Sequence, residues 1–259
     1  MPLHTTDDGC RIAYEVSGPD EAPAVVLSNS LGTDHHLWDA QIGVLESHYR
    51  VLRYDTRGHG ASDAPSGEYA IARLGHDVLS LMDDVGMRRA HVCGISIGGL
   101  TALWLGVHAP DRVDRLVLAN TAARIGSDAS WTDRMRLVDA DGLATLAEVT
   151  MTRWFTARFR EASPLTVART RASLLATSHA GYLGCCAALR DADLRPDAGR
   201  VRAQTLVITG MHDVATPPAD GAWLAGVIPG ATLVELDAAH LSNVECAQVF
   251  TERVLECLR

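Results

Sequence analysis

Residues 92–100 read Val-Cys-Gly-Ile-Ser-Ile-Gly-Gly-Leu, and Gly94-Ile95-Ser96-Ile97-Gly98 within them is a Gly-x-Ser-x-Gly pattern. A short, mostly apolar run from Ala90 to Cys93 leads in. Behind Ser96, residues Leu100, Leu103, Trp104 and Val107 fall at helical spacing, and Pro110 closes the run. The five residues alone are a weak pattern. Strand, sharp turn and helix are the context in which the pattern carries chemistry. Such a turn forces its central residue into a strained backbone conformation, so the neighbours must be small. Gly94 and Gly98 leave room for strand and helix to approach. Ser96 then projects its hydroxyl above a sheet, at the positive end of a helix.

The rest of the chain supplies that context. Residues 10–16 alternate in polarity and read as an early antiparallel strand. Residues 24–29 form an almost continuous apolar run, as a strand covered on both faces requires. Residues 50–54 make a further short strand, which runs into the turn Asp55-Thr56-Arg57-Gly58-His59-Gly60. Residues 69–86 have helical spacing, with Leu74, Val78, Leu81, Met82 and Val85 on one face. Buried strands are expected at 116–119, 205–208 and 233–236, and a final helix at 244–258. Strands alternating with helices specify an α/β fold, a mainly parallel central sheet flanked by helices.

One segment breaks the alternation. Residues 122–196 hold no convincing strand and are dominated by helical runs such as 131–138 and 143–155. Two parts are therefore expected: a core of residues 1–121 and 197–259, and a helical cap of residues 122–196 over the strand ends. Charge divides in the same way. Residues 122–200 carry 11 arginines and 9 acids, a balance of +2, and the remainder carries 12 arginines and 23 acids, a balance of −11. A mildly basic cap on an acidic body points to a small anionic substrate. The overall charge of −9 argues against nucleic acid as a partner. No run of eighteen apolar residues suggests a membrane span, and the polar, acidic N-terminus is unlike a signal peptide. No membrane partner is expected, and the cytoplasm is the expected location. Cys10, Cys93, Cys185, Cys186, Cys246 and Cys257 then fit reduced thiols. No Cys-x-x-Cys pair exists, so no zinc site is expected. The oligomeric state stays open.

A serine hydroxyl is a poor nucleophile until a base removes its proton. That base is expected to be a histidine oriented by a carboxylate. In a sheet built around this turn the chain order is Ser, acid, His. Downstream of Ser96, the run ending at Gly210 is followed by Asp213, and the next, ending at Leu236, is followed by His240. Both lie beyond the C-terminal ends of strands, where parallel sheets build their sites. Asp237 is a rival acid, but it stands too close in sequence to His240 to reach across the ring. Asn120, after the strand ending at Ala119, is not a carboxylate. Of the other histidines, His59 is expected to hold loops together, His35 and His36 to lie near the mouth of the site, and His212 to face outward. The oxyanion of a tetrahedral intermediate needs donors. The backbone N–H of Ile97 is one, and that of Leu31, turned inward by Gly32, is the second.

At these residues the chain resembles the α/β-hydrolase superfamily over essentially its whole length. The stretches SNSLGTDHHLWD, DTRGHGASDAP, CGISIGG, RWFT (residues 153–156) and GYLGCCAALRDADLR (residues 181–195) resemble the 3-oxoadipate enol-lactonases more narrowly. The last falls in the cap, where hydrolase families differ most. The resemblance implies hydrolysis of a cyclic enol ester, 3-oxoadipate enol-lactone, in aromatic catabolism, with no cofactor and no metal. That substrate carries a carboxylate. In the run WTDRMRLV, Trp131, Arg134, Met135 and Val138 share one helical face. Arg134 is then expected to meet the carboxylate and Trp131 to wall the ring, with Trp154 a second wall and Arg136 pointing to solvent. A carboxylesterase or a cofactor-free perhydrolase on the same triad is the alternative, and a non-catalytic binding module a more distant one.

Overall fold

A computed structural model describes residues 1–259. Its strands are Leu3–Thr5 (β1), Arg11–Ser17 (β2), Ala24–Ser28 (β3), Arg50–Tyr54 (β4), Ala90–Ile95 (β5), Val113–Ala119 (β6), Gln204–Gly210 (β7) and Thr232–Leu236 (β8). They form one sheet in the order β1-β2-β4-β3-β5-β6-β7-β8. β1 and β2 pair antiparallel, and every pairing from β4 to β8 is parallel. Leu27, Cys93, Val117 and Leu206 stand side by side in register across the middle of the sheet. β5 is buried at every residue, which its lack of alternation anticipates.

Asp39–Leu45 (α1), Ile71–Asp84 (α2) and Ile97–His108 (α3) follow β3, β4 and β5. α2 buries Leu74, Val78, Leu81 and Met82, the stripe its spacing marks out. Between β6 and β7 the chain makes five helices and no strand: Asp128–Asp141 (α4), Ala147–Trp154 (α5), Ala157–Ala162 (α6), Pro164–Ala176 (α7) and His179–Asp191 (α8). These helices are called the cap below. Pro218–Val227 (α9), Ser242–Glu245 (α10) and Ala247–Leu258 (α11) complete the fold. No single helix is long and apolar enough to cross a membrane.

The elements depart from the sequence pattern in a few places. The single helix expected over 244–258 is two, because the backbone breaks at Cys246 (φ −118°, ψ 43°). At the break the Cys246 thiol donates to the Asp237 carbonyl, and the Glu245 carboxylate accepts the Ala239 N–H. The run 143–155 splits into a tight turn, Leu143–Leu146, and α5, after Gly142 leaves the helical region at φ 76°. β1 has too few residues to show a period.

Candidate active site

Ser96 sits between β5 and α3 with φ 60° and ψ −124°, a strained conformation for a residue with a side chain. Its N–H donates to Ala119 O (3.0 Å), and its carbonyl accepts the Thr121 hydroxyl (2.7 Å). The turn holds only because its flanks are glycines. A Cβ on Gly94 would lie 2.1 Å from the Gly98 carbonyl oxygen, and one on Gly98 would lie 2.2 Å from the Ser28 carbonyl oxygen.

The loops after β7 and β8 bring Asp213 and His240 to the same place. His240 Nδ1 meets Asp213 Oδ2 at 2.8 Å, with both side chains buried. The Asp213 loop wraps its own carboxylate: the N–H groups of Ala215 and Thr216 donate to Oδ1 (2.8 and 3.0 Å), and the Thr216 hydroxyl donates to Oδ2 (2.8 Å). Asn120, at φ 43°, donates from Nδ2 to Asp213 Oδ2 (3.0 Å) and to Ala239 O (3.2 Å), and accepts the Ser242 hydroxyl (2.5 Å). Burial alone would raise the Asp213 carboxyl. The adjoining His240, with the bonds from Asn120 and Thr216, outweighs burial and holds it at about 2. An ionised Asp213 fixes the tautomer with the proton on Nδ1, leaving Nε2 as the basic atom. Ser96 and His240 line one cavity but share no direct hydrogen bond. Such bonds often tighten only with substrate present.

Ile97 is the first residue of α3, so its N–H has no intrahelical partner. Neither it nor the Leu31 N–H donates to any protein acceptor, although both residues are buried. Unpaired buried N–H groups are uncommon, and two of them flank the serine here. Gly32 (φ 78°) gives the Leu31 loop its turn, and a Cβ there would lie 2.5 Å from Leu174 of α7. The Gly32 N–H donates to His59 Nε2 (2.9 Å). Burial lowers the His59 pKa and so keeps that nitrogen an acceptor. His59 thus pins the loop that carries Leu31.

The cap closes a cavity of about 150 Å³ over Ser96 and His240. A capping box of Ser127 and Ser130 starts α4 and directs Trp131 and Arg134 into the cavity wall. The Trp131 indole donates to Ile125 O (2.6 Å). The Arg134 guanidinium lies 5.2 Å from the Trp131 ring centroid and donates to the Tyr182 hydroxyl (3.1 Å). Trp154, nearly fully buried, lines the cavity from α5. Arg136 is exposed and meets Asp133. The cap is tied to both sides of His240. The Leu241 N–H donates to Trp154 O (3.1 Å), while Glu245 accepts from the Ala239 N–H and the Thr156 hydroxyl.

Some placements differ from expectation, and some residues went unforeseen. His35 and His36 do not line this cavity. A tight turn over His35–Trp38, capped by Asp34, carries His35 inward to Asp55 (2.8 Å) and leaves His36 exposed beside Asp39. Asp237 is exposed and engaged with His212 (2.7 Å) and Arg158 (3.1 Å). Thr150, Arg153 and Tyr182 also line the cavity, and no local sequence period marks them. Asn120 bears no charge, yet it braces Asp213, which does. All six cysteines are free.

The sequence matches the α/β-hydrolase fold family over residues 23–246. It is 45% identical over 249 residues to a 3-oxoadipate enol-lactonase of Acinetobacter baylyi, covering 96% of this chain and 93% of that one. It is 32% identical over 265 residues to a putative carbamate hydrolase of Variovorax paradoxus, covering 100% and 96% of the two chains. Among solved structures, the enol-lactonase of Burkholderia xenovorans superposes with a TM-score of 0.97 at 46% identity, over 99% of both chains. The Gly-x-Ser-x-Gly turn, the strand order and these likenesses agree: the chain belongs to the α/β-hydrolase family, among the relatives of the enol-lactonases.

Proposed function

We propose that this protein is a carboxylic ester hydrolase that opens 3-oxoadipate enol-lactone to 3-oxoadipate in the cytoplasm, as a step in aromatic catabolism, without a cofactor. The observation that carries the reading is the pairing, in one small cavity, of Ser96 and His240 with Arg134, a cation that has no carboxylate partner in the protein. The names of the relatives support the choice of lactone.

In this reading His240 Nε2 takes the Ser96 proton as Oγ attacks the lactone carbonyl. Asp213 holds the ring and stabilises the imidazolium. The oxyanion accepts from the Leu31 and Ile97 N–H groups. Collapse breaks the ring C–O bond, and the enol oxygen leaves with the proton from His240. The enol then tautomerises to the ketone. Water, deprotonated by His240, attacks the acyl-serine, frees Ser96 and leaves the second carboxylate. Arg134 offsets the cost of enclosing the first carboxylate away from water, and Trp131 and Trp154 wall the ring. The test compares the enol-lactone with the isomeric muconolactone and simple neutral esters. A kcat/KM highest on the enol-lactone supports the reading. Faster turnover of neutral esters would make the protein a carboxylesterase instead.

A further inference from the structure

Most of the chain's arginines have a carboxylate partner. In the cap, Arg124, Arg136, Arg158, Arg169, Arg171, Arg190, Arg195 and Arg200 each have a carboxylate within ion-pair distance. Arg134, Arg153 and Arg160 have none, and Arg160 lies outside the catalytic cavity. Arg153 goes further than Arg134, since it makes no side-chain hydrogen bond to any group of the protein. It is half-buried on the cavity-facing side of α5, one turn from Thr150, whose hydroxyl is buried without a partner. Burial and the neighbouring Arg134 both lower the Arg153 pKa, and only Asp213 and Tyr182 act the other way. Asp213 offers no bond in return, because both its oxygens are already held by His240, Asn120, Ala215 and Thr216.

Two like charges facing one enclosed space repel each other unless an anion lies between them. We propose that Arg153 is a specificity-determining residue, which with Arg134 meets the free carboxylate of the substrate from two helices, α5 and α4. The inference rests on the reading that the site hydrolyses carboxylated esters, and it adds that one arginine is insufficient. A carboxylate has two oxygens and about four acceptor positions, so guanidinium groups on two sides both bond it and exclude neutral acyl chains.

The experiment uses two chromogenic esters of equal acyl length, p-nitrophenyl hemiglutarate and p-nitrophenyl valerate. The parent enzyme is expected to prefer the hemiglutarate. Arg153→Gln should lower kcat/KM on it by roughly tenfold or more, raise the inhibition constant of glutarate by a similar factor, and leave the valerate within about twofold. Arg153→Lys should regain part of the loss. The melting temperature of Arg153→Gln should stay level or rise, because an unmatched, half-buried cation is removed. Equal losses on both esters, or no change on either, would overturn the proposal, as would a parent with no preference for the hemiglutarate. The two readings fail separately. A parent that shows the Arg153-dependent preference but leaves the enol-lactone intact sinks the proposed substrate alone. A parent that opens the enol-lactone equally well as Arg153→Gln sinks the role of Arg153 alone.

Discussion

Arg57 and Arg153 are both withdrawn from water, and the protein treats them in opposite ways. Arg57, in the turn after β4, is almost fully buried. Its Nε and Nη2 meet the two oxygens of Asp77 (2.5 and 2.7 Å), and Nη1 meets Asp8 (2.9 Å). Burial works against its charge, but these carboxylates outweigh burial and raise its pKa. Arg153 lies under the cap, has no such partner, and its pKa moves down. The more deeply buried of the two keeps its charge because carboxylates meet it, and the half-buried one has no such partner. A cation that serves the fold is matched while the chain folds. A cation left unmatched in a cavity wall costs stability that an anion bound there would restore. The same division runs through the site. Asp213 in the core has every oxygen engaged, while the cap wall presents unpartnered groups to the cavity.

The contrast predicts that core substitutions act on all substrates alike and cap substitutions sort them by charge. The largest expected effect is that of Ser96→Ala, which should lower kcat by about three to six orders of magnitude on carboxylated and neutral esters alike, with melting unchanged. Asp213→Asn should fall short of that and still be severe, on both substrates, since the carboxylate sets the tautomer of His240. A Ser96→Ala variant that keeps a tenth of its activity would remove the serine from the mechanism.

Arg57→Ala tests the other side of the contrast. Breaking a fully buried ion pair leaves Asp77 without its bidentate partner and should cost about 3–5 kcal/mol of unfolding free energy. Denaturant melts of the variant check this. Arg153→Gln is the matched control, with no loss expected. Similar destabilisation by both would erase the distinction between a structural and a substrate-facing arginine.

How much of this was legible in the sequence follows from the range of each pattern. The Gly-x-Ser-x-Gly turn and the buried strands are written within short windows, and those windows agree with the eight-stranded sheet; the positions of Asp213 and His240 after strand ends are written in the same way. The Trp131–Arg134 face is a helical period, and it shows too. Arg153 stands in the RWFT stretch, yet its lack of a partner is a fact about all the other elements and no local period reveals it. Asn120 looked inert because a neutral side chain gives no sign of bracing a carboxylate 93 residues away. The break at Cys246 has no local mark, because the residues around it are compatible with a helix; the Glu245 and Cys246 side chains that bond Ala239 and Asp237 there answer to residues of another loop.

Arg134→Ala should have a smaller, selective effect. Losing a charge-assisted hydrogen bond costs roughly 1.5–3 kcal/mol, so kcat/KM on a carboxylated lactone should fall by about ten- to a hundredfold. A neutral short-chain ester should barely change. Equal losses would mean that Arg134 supports the cap through Tyr182 and Trp131, and that the carboxylate is met elsewhere.

Asp237→Asn should have the smallest effect, and it separates the two acids that precede His240. Asp213 is buried, accepts from His240 Nδ1 and is enclosed by its own loop. Asp237 is exposed, and His212 and then Arg158 hold its pKa down. Its bond to Arg158 is one surface link between the core and the cap. Exposed pairs of this kind contribute little, because water and salt screen them. The variant should therefore keep kcat/KM within about twofold of the parent on both kinds of ester. Any small change should shrink further as salt is raised. If Asp237→Asn were instead more damaging than Asp213→Asn, the acid of the triad would be Asp237. The buried carboxylate would then belong with Arg57 and Asp77, as structure and not as chemistry.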